Sequence, residues 1–143
     1  YRLRPDAKRF ENWEKNYANH LGMGVAIDYA LDAGLDRIRA QVVRNATRLR
    51  DQLASIPGVT VQDLGETKGG IVTFEIAGVN PDLVTQLLRS DWKINTSSSG
   101  ISSTRFDMES RNIQQMVRSS THYFTTDEEI DLLASAVAEL ARS

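Results

Sequence analysis

The chain has 143 residues, with 17 Lys and Arg against 19 Asp and Glu, a formal net charge of −2 and no cysteine. That length suits one domain whose core needs no disulfide or structural metal. The missing cysteines exclude disulfide scaffolds and thiol chemistry within the chain, and the slight acidity argues against nucleic acid as a partner. No apolar run approaches the roughly 20 residues of a membrane helix and no signal peptide opens the sequence, so a cytoplasmic protein without a membrane partner is expected. The first residue is Tyr1, and Tyr1–Asp6 has no processing pattern. A piece of a longer protein is therefore expected.

Residues 1–17 are polar and aromatic with no clean period. From Asn19 to Asp32, Met23, Ile27, Ala30 and Leu31 recur at helical spacing, and Gly34 offers a stop. Asp36 is placed to cap a second helix, along which Ile38, Val42, Leu49, Leu53 and Ile56 recur until Pro57-Gly58. The period then changes to two. Val59–Val61 reads as a short strand and Gly70–Ile76 as a stronger one, with Val72, Phe74 and Ile76 on one face and Ile71, Thr73 and Glu75 on the other. Asn80-Pro81 starts a helix carrying Leu83, Val84, Leu87 and Leu88. Trp92–Thr96 is expected as a third strand, Ser97–Ser103 as a loop, Ser110–Gln115 as a short helix and Met116–Thr121 as a fourth strand. Thr126 with Glu129 forms a capping box before the stripe Ile130, Leu133, Val137, Leu140. The order predicts an α/β (α+β) fold: a small, mainly antiparallel sheet of three or four strands packed against helices. We expect one domain over 1–143, divided into a leading segment and helix at 1–35 and a core at 36–143.

Few residues point to chemistry. The Gly22-Met23-Gly24 run follows no strand, so it reads as close helix packing instead of a dinucleotide fingerprint. His20 and His122 stand apart with no ligand partner at metal spacing, so no metal is expected. The five arginines from Arg37 to Arg50 read as a solvated helix face. Serines 97–103 have no nucleophile-elbow context. Arg118 differs, because an arginine in a strand either meets solvent or holds an anion, best a carboxylate through two parallel hydrogen bonds.

Several runs carry a family likeness in their order and spacing. Arg9-Phe-Glu11, Leu21–Tyr29, Gly34–Arg39, Leu49–Leu53, Ile56–Val59, Gly70–Phe74, Val117–Tyr123 and Thr126–Asp131 together resemble the C-terminal part of class V aminotransferases. These are fold-type-I pyridoxal-phosphate (PLP) enzymes that include cysteine desulfurases and epimerase-like and C–S lyase-like branches. The resemblance implies the small C-terminal domain of such an enzyme, inactive alone, with PLP held in the full-length enzyme by a large N-terminal domain. It implies an amino-acid substrate, the chain's own large domain as a partner, and a homodimer. Arg118 falls where the family places the arginine that grips the substrate α-carboxylate. Ser97, Ser98 and Ser99 fall in the loop where desulfurases place a catalytic cysteine, so the resemblance implies an active-site loop there without persulfide chemistry. None of Lys8, Lys15, Lys68 and Lys93 sits in a context resembling the family's Schiff-base lysine. Near Asn12-Trp-Glu14 the family often has a Gly-Thr that reaches a neighbouring subunit's cofactor phosphate, and Glu14 puts that contact in doubt. The reaction stays open between an aminotransferase-like or epimerase-like enzyme and a C–S lyase. A non-catalytic domain that binds a small molecule or dimerises is the competitor outside enzymes.

Overall fold

The computed structural model describes residues 2–11 and 14–142, so the expectations at Tyr1 and at Asn12-Trp13 lie outside the described residues. The chain folds as two compact units, Tyr1–Leu35 and Asp36–Ser143.

In the first unit a single 3-10 turn, Ala7–Phe10, starts where Asp6 accepts the Lys8 N–H at 3.1 Å. Helix α1 spans Tyr17–Ala33, opening two residues before Asn19 because the Asn16 side chain accepts the Asn19 N–H at 3.0 Å. Gly34, at φ 88°, ends it by donating its N–H to the carbonyls of Ala30 and Leu31. No residue of α1 is buried, and Tyr17, Leu21, Met23, Val25, Ile27 and Tyr29 are all exposed. The expected stripe is thus one part of a helix that is apolar on every side.

The second unit begins along α2, Leu35–Ala54. Asp36 sits inside its first turn, where its charge favours the helix N-terminus, and is not the cap that the sequence suggested. There follow β1 (Val59–Val61), β2 (Ile71–Ile76), α3 (Pro81–Asp91), β3 (Ser97–Gly100), α4 (Arg105–Ser110), β4 (Gln115–Ser120) and α5 (Asp127–Leu140). Asn80 caps α3 with Pro81 at its first turn, and the Thr126–Glu129 capping box opens α5. The strands form one sheet in the order β1-β2-β4-β3, antiparallel at every pairing. This bears out the small antiparallel sheet packed against helices.

Two expectations in the middle of the chain fail. Trp92–Thr96 is not a strand: Lys93 takes φ 60°, and the Ile94 N–H folds back to the Leu88 carbonyl at 2.9 Å. The ladder instead takes up Ser97–Gly100, part of the segment expected to be loop, and pairs it with β4. The short helix lies at Arg105–Ser110, earlier than Ser110–Gln115, because Asn112 at φ 54° stops it.

The register sorts the sheet into two faces. Val72, Phe74, Ile76 and Val117 are buried with Leu49 and Leu53 of α2, Val84 and Leu88 of α3, and Ile130, Leu133 and Val137 of α5. The opposite face carries Ile71, Thr73 and Glu75 of β2, Met116, Arg118 and Ser120 of β4, and Ser97 and Ser99 of β3. A smaller cluster of Met108, Ile113 and Met116, with Ile101 against it, covers one end of that second face. The α2 arginines are not a solvated face throughout. Arg44 and Arg48 reach Asp127 and Asp131 of α5 at 2.9 and 2.7 Å, and Arg50 is buried. Gly70, leading into β2, receives both the N–H and the hydroxyl of Thr121 on its carbonyl; a Cβ there would stand 2.7 Å from the Thr121 oxygen and from Val42 Cγ1.

Candidate active-site face

The second face of the sheet centres on Arg118. Its neighbours across the ladder are Thr73 on β2 and Ser97 on β3, the last pair before the Lys93–Thr96 lead-in leaves the sheet. Directly opposed Cβ atoms stand about 4.5–5.5 Å apart, so the guanidinium rises from a bed of hydroxyl-bearing residues. Arg118 is exposed and makes no hydrogen bond or ion pair among the described residues. An arginine standing free on a sheet face has five donors available for an incoming anion, in a planar fork that matches a carboxylate.

The floor beside it is fixed from below. Thr73 donates its hydroxyl and its N–H to Asp63 Oδ1 at 2.5 and 2.9 Å. The other oxygen of Asp63 accepts from Arg50 Nε at 2.6 Å, and Arg50 Nη2 donates to the carbonyls of Gly69 and Ile71 at 2.8 and 2.7 Å. Both side chains of that ion pair are only 10% exposed. One buried pair therefore closes the 63–69 segment onto the edge of β2 and holds Thr73 facing Arg118. Next to Thr73 the face hollows into a cleft of about 330 Å³ between this segment and α4, with Lys68, Thr73, Arg111 and Met116 among its walls.

Strand alternation separates the three serines. Ser97 and Ser99 share the face with Arg118, and neither side chain has a hydrogen-bond partner among the described residues. Ser98 points the other way and donates its hydroxyl to Asp82 at the start of α3. Hydrogen bonds from Ser98 and then Gln115 hold the Asp82 carboxyl below its ordinary value. The expected active-site loop over Ser97–Ser99 is thus an ordered edge strand, because serines with free ladder partners pair as readily as any short side chain. The sequence reading gave no site role to Asp63, Thr73 or Lys68. Its one available signal was Thr73 in the outward set of β2, which acquires meaning only when the register sets it against Arg118.

Among the described residues no helix is long and apolar enough to cross a membrane, and no group of three or more His, Cys, Asp or Glu is placed to hold a metal ion.

The profile of the family described as aminotransferase class-V matches residues 1–133. The chain is 29% identical over 144 residues to a probable cysteine desulfurase of Methanothermobacter thermautotrophicus, covering 99% of this chain and 36% of that protein. Its fold matches the apo structure of the cysteine desulfurase from Thermococcus onnurineus NA1 with a TM-score of 0.84 and 26% identity, over 99% of this chain and 35% of the other. It also matches the cystine C-S lyase C-DES, in complex with its product cysteine persulfide, with a TM-score of 0.71 and 20% identity over 92% and 32% of the two chains; at that identity the likeness is one of fold. The chain thus spans about a third of the length of each of these proteins. With the profile running through both units and the sheet superposing on these enzymes, the chain belongs to the aminotransferase class-V family.

Proposed function

We propose that this chain is the small domain of a PLP-dependent enzyme acting on an amino acid, that Arg118 grips the substrate α-carboxylate, and that the domain is inactive by itself. The observation that carries this reading is the exposed guanidinium of Arg118, without a hydrogen bond or ion pair among the described residues and set between Thr73 and Ser97. A carboxylate held by two parallel hydrogen bonds loses rotational freedom, and the bond to be broken is presented in one orientation to the reacting group.

The residues present do not fit the cofactor by themselves. No aromatic ring lines the cleft beside Arg118 for a pyridine ring to stack on. In this reading PLP and its lysine belong to a large domain outside these 143 residues, and the intact protein is a cytoplasmic homodimer. Helix α1 supports the idea of a covering partner, since a helix apolar all round is stable when other protein encloses it.

Two reactions compete within the class. An aminotransferase-like or epimerase-like reaction needs only the carboxylate grip from this domain. The alternative is a C–S lyase, in which no thiol of this segment accepts the sulfur because the 143 residues hold no cysteine. The intact enzyme tests the reading directly. Arg118→Ala should cut amino-acid turnover by about a hundredfold or more, and Arg118→Lys should fail nearly as badly because one ammonium cannot reproduce the planar fork. Near-normal turnover in either variant removes the carboxylate assignment. Sulfide or persulfide among the products identifies the lyase; a keto acid with a transferred amino group identifies the aminotransferase.

A further inference from the structure

The cleft beside Arg118 has a charge pattern that bears on which amino acid it admits, an argument that rests on the carboxylate reading above. Its walls carry three cations, Arg50, Lys68 and Arg111, and two anions, Asp63 and Asp107. Four of the five are spent on one another. Arg50 pairs with Asp63 at 2.6 Å, and Arg111 pairs with Asp107 at 3.0 Å while also donating to the carbonyl and side-chain oxygens of Gln62 at 2.6 and 2.9 Å. Lys68 alone is left over. It is half-buried and has no hydrogen bond or ion pair among the described residues. The remaining nearby acids do not neutralise it. Glu75 accepts from Gln62 and lines a separate depression with Thr60, and Glu66 is an exposed residue outside the cleft walls.

The cleft and Arg118 are parts of one surface. Thr73 is a wall of the cleft and the direct cross-strand partner of Arg118, while Met116 is a wall of the cleft and lies two residues before Arg118 on the same face. Lys68 is a wall of a hollow of about 330 Å³, a volume of the order that small-ligand clefts occupy, and Arg118 stands outside its walls, across the ladder from Thr73. A neutral side chain in that hollow would leave the Lys68 ammonium partly desolvated with nothing to pair with.

We propose that Lys68 is a specificity-determining residue and that the natural substrate is an amino acid with a second anionic group on its side chain. The α-carboxylate meets Arg118, and the distal anion meets Lys68.

Calorimetric binding of L-aspartate, L-glutamate, L-asparagine and L-glutamine to the intact holoenzyme tests this, because each acid and its amide differ in charge and hardly in shape. At least one acid should bind about tenfold or more tightly than its amide. Lys68→Ala should remove that preference by weakening the acid alone, and Lys68→Arg should keep it. Equal affinity for acids and amides in the unmodified enzyme overturns the proposal, as does a Lys68→Ala variant that weakens acid and amide alike. Arg118→Ala separates the two layers of the argument. Weakened binding of all four ligands supports the carboxylate grip. Unchanged binding of all four overturns the grip, while the acid-over-amide ratio still judges Lys68.

Discussion

The two faces of the sheet are built from the same strands and have opposite contents. On one face Val72, Phe74 and Val117 are completely buried under α2, α3 and α5. On the other, one residue along each strand, stand Thr73, Arg118 and Ser97, with Met108 of α4 and Ile113 packed at the Met116 end. The first face is chosen by transfer of apolar surface from water and specifies nothing beyond the fold. The second has no such driving force, so its order comes from the buried Arg50–Asp63 pair and the Thr73 hydrogen bonds beneath it. A two-residue period thus separates what makes the domain stable from what makes it useful.

That contrast can be broken from either side. Phe74→Ala, on the buried face, should cost the most, about 3–5 kcal/mol by loss of transfer energy and a residual cavity, read by denaturant unfolding of the chain. Arg50→Ala should cost about 3 kcal/mol, since it strands the Asp63 carboxylate in a closed site. Its distinguishing mark is loss of amide-exchange protection around 63–71 with β4 still protected. Asp82→Asn should have a smaller and pH-dependent effect. The folded carboxyl titrates below its ordinary 3.8, so its contribution is present above that pH and lost as pH falls through the folded value. Unfolding curves of Asp82→Asn and the unmodified chain should therefore differ at neutral pH and converge in acid. Arg118→Ala should change stability least, within about 0.5 kcal/mol, because the side chain is exposed and no hydrogen bond or ion pair among the described residues is lost. A large destabilisation by Arg118→Ala would erase the distinction between the faces.

Much of this was readable from the residues, and the failures have causes. The alternation in Ile71–Ile76, the Asn80-Pro81 start and the Thr126–Glu129 box each describe a local physical event, and each is found where the sequence put it. Trp92–Thr96 failed for an instructive reason. Its alternation is real in burial, with Trp92, Ile94 and Thr96 turned partly inward and Lys93 and Asn95 out, yet no strand among the described residues pairs with it. Ser97–Gly100 lacks any apolar signal and is a strand because β4 offers it a ladder. In helix α1 periodicity picked out Met23, Ile27 and Leu31, and all three are exposed along with Leu21, Val25 and Tyr29 on its other sides. At the site, Arg118 could be singled out because an arginine in a strand either meets solvent or holds an anion. Its relation to Thr73 depends on a register across 45 residues of chain (118 less 73), which no local pattern records.

Gly69 and Gly70 give neighbouring positions opposite evolutionary prospects. Any side chain at Gly70 must push aside the Thr121 backbone, whereas a Cβ at Gly69 meets nothing within 4 Å. Saturation mutagenesis should find the first frozen and the second permissive. Drift in the rim of the cleft is therefore channelled into Thr67, Lys68 and Gly69, where one substitution can alter what enters without disturbing the sheet.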